Sequence, residues 1–177
     1  MSRRSKNSPR RVRLAVIVSA AAAVCAAGAV AATVAGYPRP AQHGPTAVLP
    51  GVADARRAWR DWALNCQGCH RQDGDGSPTT APQLAGRVAK FLRVPGGREY
   101  LARIPGIASS PLSNARLSEV VNWMLWRFDR QDLPAHFTPY TAAQIGALRV
   151  RPLRLRMAAV RRDLLRDLRR RQRSAAR

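Results

Sequence analysis

In the stretch "NCQGCH", residues 65 to 70, two cysteines stand two residues apart and a histidine follows the second at once. Two thiols and an imidazole packed this closely suit four kinds of chemistry. A redox pair exchanges thiolate for disulfide, but such a pair normally opens a helix in a βαβ setting, which the flanking sequence does not supply. A structural zinc site needs four ligands; with Cys25 in an apolar run, only His43 and His136 remain, at irregular distances. A disulfide across two intervening residues closes too small a loop to stabilise much. None of these accounts for a histidine in the very next position. The fourth does: haem is held by two thioether bonds when the cysteines stand about one helical turn apart, and the next residue then offers its imidazole to the iron. Cys66 and Cys69 are therefore candidate attachment points for one covalent haem c, and His70 is the candidate axial ligand.

Attachment of this kind takes place outside the bacterial cytoplasm, which makes the amino end informative. Arg3, Arg4, Lys6, Arg10, Arg11 and Arg13 precede an uncharged run from Leu14 to Gly36. That is the layout of an export signal. The run is long enough to span a bilayer as a helix, and Ala29-Val30-Ala31 also offers a small-x-small cleavage site. The expectation is a periplasmic protein, either kept at the inner membrane by residues 1 to 36 or freed by cleavage. Cys25 reads as a small apolar side chain within that run. Residues 37 to 50 hold four prolines and read as a semi-stiff spacer.

The elements that must position the motif are helical. Val52 to Asn65 has no proline and gathers Ala55, Ala58, Trp59, Trp62 and Ala63 on one side. Ser113 or Asn114 caps a second helix, whose Leu117, Val120, Val121, Met124, Leu125 and Phe128 follow the 3.6 period. "PGGREYLARIPG" suggests one shorter helix bounded by Gly97 and Pro105, and no segment alternates as a strand. The reading is an all-α domain over residues 51 to 140. A core this small needs a cofactor to reach ordinary stability, and Trp59, Trp62, Trp123 and Trp126 are expected to pack between helices or around it.

"DWALNCQGCHRQDGDG" followed by "APQLAG" resembles the amino-terminal half of a small bacterial monohaem cytochrome c, with the likeness running from about Gly51 to Phe128. The resemblance implies a cytochrome c-like fold of three to four helices around one covalent haem. It also implies that the Pro82 carbonyl accepts a hydrogen bond from the second nitrogen of the ligating histidine. Relatives with a sulfur ligand place a methionine in the loop before the last helix. Here that loop, "RIPGIASSPLS" from Arg103 to Ser113, has neither methionine nor histidine. Met124 and His136 are the weak candidates for a sixth ligand. Met124 lies in the apolar stripe of a helix, where a core methionine is the commoner outcome, and His136 follows that helix in "LPAHFTPY". Met157 belongs to the tail, His43 to the spacer, and Lys90 is the only lysine beyond the first six residues.

The charge, +21 overall, lies mostly at the two ends. The central part is mildly basic and has no helix-turn-helix or finger-like spacing, so nucleic acid is not the expected partner. Residues 141 to 177 read as a basic tail. In it Leu153, Met157, Val160, Leu164 and Leu168 form an apolar stripe among arginines, with a solvated end from Gln172 onward. Such a helix suits an anionic lipid surface, an acidic redox partner or the haem domain itself. Two functions follow. One is a periplasmic carrier passing single electrons between a membrane or periplasmic donor and an acceptor, not a catalyst. The other, motivated by the missing methionine, is a haem protein with an open sixth position for small ligands or peroxide.

Overall fold

A computed structural model describes residues 49–79 and 81–177; the export run, Cys25, His43 and most of the spacer lie outside the described residues. Every regular element among the described residues is helical, and one isolated bridge pairs Ser77 with Ala81. The all-α expectation holds.

Helix α1, Ala55–Asn65, begins three residues later than the sequence suggests because Asp54 stays extended and accepts a 2.9 Å bond from the Arg57 amide. That bond is the main reason the Asp54 carboxyl titrates below its ordinary range. Its buried side is Ala58, Asp61 and Trp62, while Ala55 and Trp59 are exposed. The expected apolar face is thus rotated, and Trp59, 38% exposed, packs less than expected. Asp61 turns inward because Arg116 from the long helix reaches it with Nε at 2.9 Å and with a second guanidinium nitrogen.

After the one-turn α2, Gln67–His70, and a 3-10 turn at Ala89–Arg93, α3 spans Gly97–Arg103 as anticipated. The supposed loop beyond it contains a further turn, α4, Pro105–Ala108. Ser113 caps α5, Asn114–Asp129, by accepting from the Arg116 amide. The buried face of α5 is the predicted one, and Trp62 meets Trp123 and Phe128 at 6.1 and 4.9 Å between ring centroids. Asn122, fully buried, donates to the carbonyls of Gly51 and Tyr140 and accepts from the Tyr140 amide at 2.8 Å.

Residues past 141 are not a single basic tail. Thr141 and Gln144 form a capping box for α6, Ala142–Arg149, which buries Ile145. Only then does α7, Met157–Ala175, begin, and it stays helical past Gln172. Of the three destinations open to its apolar stripe, the observed one is the protein itself. Leu164 and Leu168 are buried in the common core, and the Arg161 guanidinium lies 5.4 Å from the Phe91 ring centre. The connection before α7 is pinned to the end of α3, where Leu153 donates to the Arg103 carbonyl at 2.9 Å and Arg103 Nε to the Arg151 carbonyl at 2.7 Å. No helix among the described residues is long and apolar enough to cross a membrane.

Candidate haem site

The motif sits on the single turn that continues α1 after a break. Cys66, at φ −130°, leaves the α1 geometry, yet its amide still donates to the Trp62 carbonyl at 2.8 Å. The His70 amide then donates to the Cys66 carbonyl at 3.0 Å, so both cysteines and the histidine share one turn. Both thiols are free, Cys66 partly buried and Cys69 exposed. Burial, with Cys69 and Asp61 adding to it, pushes the Cys66 thiol up to about 11. A thiol so protonated is a poor redox nucleophile, which argues against the disulfide-exchange chemistry. Among the described residues no group of three or more His, Cys, Asp and Glu side chains gathers as a metal-ion site.

His70 is oriented from behind. Its Nδ1 lies 3.0 Å from the Pro82 carbonyl oxygen, so Nδ1 carries the proton and donates, leaving Nε2 with a free lone pair. Burial holds its pKa below the ordinary histidine value, against the opposing effect of the Pro82 bond, and favours the neutral ring that ligates metals. Trp62 backs the ring at 5.9 Å.

The carbonyl of Pro82 is placed by a turn closed at a glycine. Gly76 has φ +67°, and a Cβ there would lie 2.4 Å from the Ala81 oxygen and 2.7 Å from the Pro82 oxygen. Its amide donates to the His70 carbonyl at 3.0 Å, and Ser77 N donates to Ala81 O at 2.8 Å. The strand-like bridge thus brings Pro82 against the imidazole.

His70, Cys69 and Pro82 line a cavity of about 810 Å³, in the size range of cofactor sites. Leu84, Val88, Phe91, Leu101 and Ile104 give it apolar walls, and Arg87 and Arg161 put two guanidinium groups on its lining. A haem fits this set: the free thiol of Cys69 and a fixed imidazole at the wall, with Cys66 on the same turn, apolar side chains for the macrocycle, and two arginines that would balance its carboxylates.

The sixth-ligand candidates are placed differently. Met124, 6% exposed, lies inside the core on α5 and does not line the cavity. His136 is exposed and does not line it either. Lys90 is paired with Asp132 at 3.4 Å. Met157, which the sequence reading leaves in the tail, does line the cavity, together with Arg161 one helical turn further on. Spacing alone hinted at this, since Met157 belongs to the same stripe as Leu164 and Leu168, but nothing local says where that stripe docks.

No family model and no solved structure matches the chain. Two cytochromes c-552 of Thermus thermophilus do. One is 31% identical over 124 residues, covering 60% of this chain and 84% of the relative. The other is 32% identical over 106 residues, covering 50% and 81%. Matched over more than four-fifths of both relatives, and with a cavity suited to the family's covalently bound haem, the chain belongs to the c-type cytochromes.

Proposed function

We propose that this cytochrome is an exported carrier of single electrons, with haem c joined through Cys66 and Cys69 and His70 Nε2 as an axial iron ligand. The observation that carries the reading is the 3.0 Å bond from His70 Nδ1 to the Pro82 carbonyl at the cavity wall. It fixes the tautomer and aims Nε2 away from the backbone. The bound haem supplies one-electron ferrous–ferric chemistry. The chain supplies position and surroundings: α1 and α5 clamp the turn through Trp62, Trp123 and Phe128, and the apolar walls keep water from the ring. Arg87 and Arg161 would balance the carboxylates.

Export is supported by the charge-flanked run from Leu14 to Gly36, which serves as anchor or cleaved signal. Because α7 spends Leu164 and Leu168 on the core, its outer face is mainly arginine. That surface suits an acidic redox partner better than insertion of the helix into lipid.

Protein made in a host able to mature haem c tests this directly. The expected holoprotein carries one haem by mass, resists haem extraction, and loses attachment when Cys66 and Cys69 are both changed to Ser. Colourless protein at the bare polypeptide mass would refute it. The second reading, an open sixth position, is favoured by the absence of methionine and histidine from residues 103–113. It predicts a high-spin spectrum and ready carbon monoxide binding.

A further inference from the structure

We propose that the sixth iron ligand of this cytochrome is the sulfur of Met157, delivered by the first residue of the carboxy-terminal helix and not by the loop before α5. The proposal rests on the reading that His70 ligates a covalent haem.

Among the described residues that line the His70 cavity, Met157 supplies the one thioether. The chain's other described methionine, Met124, is enclosed by the core. Residues Ile104, Pro105 and Gly106 of the family's usual ligand region line the same cavity, but none bears a donor side chain. Gly106 leaves that wall open, since a Cβ there would meet nothing within 4 Å. Met157 is 36% exposed, so its side chain is not committed to the core and has freedom to turn.

Position 157 is held on both sides. Upstream, Leu153 and Arg151 are bonded to Arg103, immediately before the cavity residues Ile104 and Pro105. Downstream, Arg161 stacks on Phe91, itself a cavity residue, and Leu164 and Leu168 are buried. Residues 157, 161, 164 and 168 fall on one helical face, so docking the stripe brings Met157 over the cavity. The basic extension therefore completes the coordination sphere, and its release would open the iron.

Tyr100 also lines the cavity, and phenolate is a known haem ligand, so it is the competing donor. The full-length holoprotein separates them. Wild type is expected to be low-spin, to show the weak near-red sulfur-to-iron charge-transfer band when ferric, and to ignore carbon monoxide when ferrous. Its ferrous proton spectrum should contain a strongly upfield methionine methyl resonance. Met157→Leu, close in volume, should lose band and resonance, turn high-spin and bind carbon monoxide, whereas Met124→Leu and Tyr100→Phe should keep both signals. Met157→His should restore a low-spin spectrum without the sulfur band. Covalent haem with a wild-type spectrum that lacks the sulfur band, or a band that survives Met157→Leu, overturns the ligand assignment alone. Absence of covalent haem overturns the functional reading beneath it.

Discussion

Gly76→Ala tests how the proximal side is built. At φ +67°, an L side chain costs about 1–2 kcal/mol from the left-handed backbone alone. The new Cβ would also lie 2.4 and 2.7 Å from the carbonyl oxygens of Ala81 and Pro82, and backbone cannot swing aside as a flexible side chain does. Moving the Pro82 carbonyl breaks its bond from His70 Nδ1 and leaves a half-buried donor unpaired, at a cost of about 1–3 kcal/mol. The sum is roughly 2–5 kcal/mol, which at about 4 °C per kcal/mol for a domain of this size is a fall in Tm of about 8–20 °C. Gly86→Ala separates the two parts: φ there is +64°, but the nearest atom to a new Cβ is Gln131 Nε2 at 3.8 Å. It should show only the backbone cost. The Pro82 bond makes the imidazole a better donor and stabilises ferric iron more than ferrous. If that difference is about 0.5–1 kcal/mol, Gly76→Ala raises the potential by roughly 20–40 mV while Gly86→Ala leaves it unchanged. Thermal denaturation and redox titration of both holoproteins give the answer. Equal destabilisation with an unmoved potential in both would refute the claim that this turn sets the histidine.

Asn122→Ala removes three bonds to Gly51 and Tyr140 and strands buried backbone groups; a loss of about 3–5 kcal/mol in urea unfolding is expected, with the optical spectrum retained. Arg116→Ala leaves the carboxylate of Asp61 buried without its cation and should lower the urea midpoint more than loss of an exposed ion pair does. Arg166→Ala, which breaks only an exposed pair with Asp163, should cost less than about 1 kcal/mol by the same measurement. Asp129 is fully buried, and that burial, against the bond it accepts from the Ala89 amide at 2.7 Å, raises its pKa to about 6. The folded protein then keeps a proton that the unfolded chain releases near pH 4, so stability should fall as pH rises from about 4 to 6 and level off above. Asp129→Asn should flatten that slope in denaturation midpoints taken from pH 4 to 8, and an unchanged slope would assign the effect to another group.

The haem motif was legible because its chemistry is local: one turn brings Cys66, Cys69 and His70 together whatever the rest of the chain does. Pro82 came from the family likeness, and the structure places its carbonyl at hydrogen-bond distance from His70. Helix α5 was legible too, since its stripe follows one period and Ser113 marks its start. The misreadings share a cause, which is that tertiary partners decide them. The predicted face of α1 included Trp59, but the pairing of Asp61 with Arg116 turns the helix so that Trp59 rather than Asp61 meets solvent. Helix α6 was absorbed into the tail because its single buried anchor, Ile145, gives almost no periodic signal. Met157 is the costliest omission: its role depends on where a helix some fifty residues past the usual ligand region comes to rest, and no local pattern encodes that.

The basic composition gains a structural meaning from the same contacts. Arg149 donates to the carbonyls of Ala108, the last residue of α4, and of Ser110 and Leu112 in the irregular segment between α4 and α5. Arg98 donates to those of Thr138 and Pro139 before α6. Arg103 takes the carbonyl of Arg151 before α7. Arg149 reaches three carbonyls, Arg98 two and Arg103 one, and the planar fork of five donors spreads such bonds over a wider, fixed span than the single nitrogen of a lysine ammonium. A helical domain of this size has long connections and few backbone partners for them, so arginine at their junctions supplies what a sheet would supply elsewhere. Arg98, Arg103 and Arg149 therefore brace the connections between helices, whereas Arg162, Arg166, Arg169 and Arg170 stay exposed on α7.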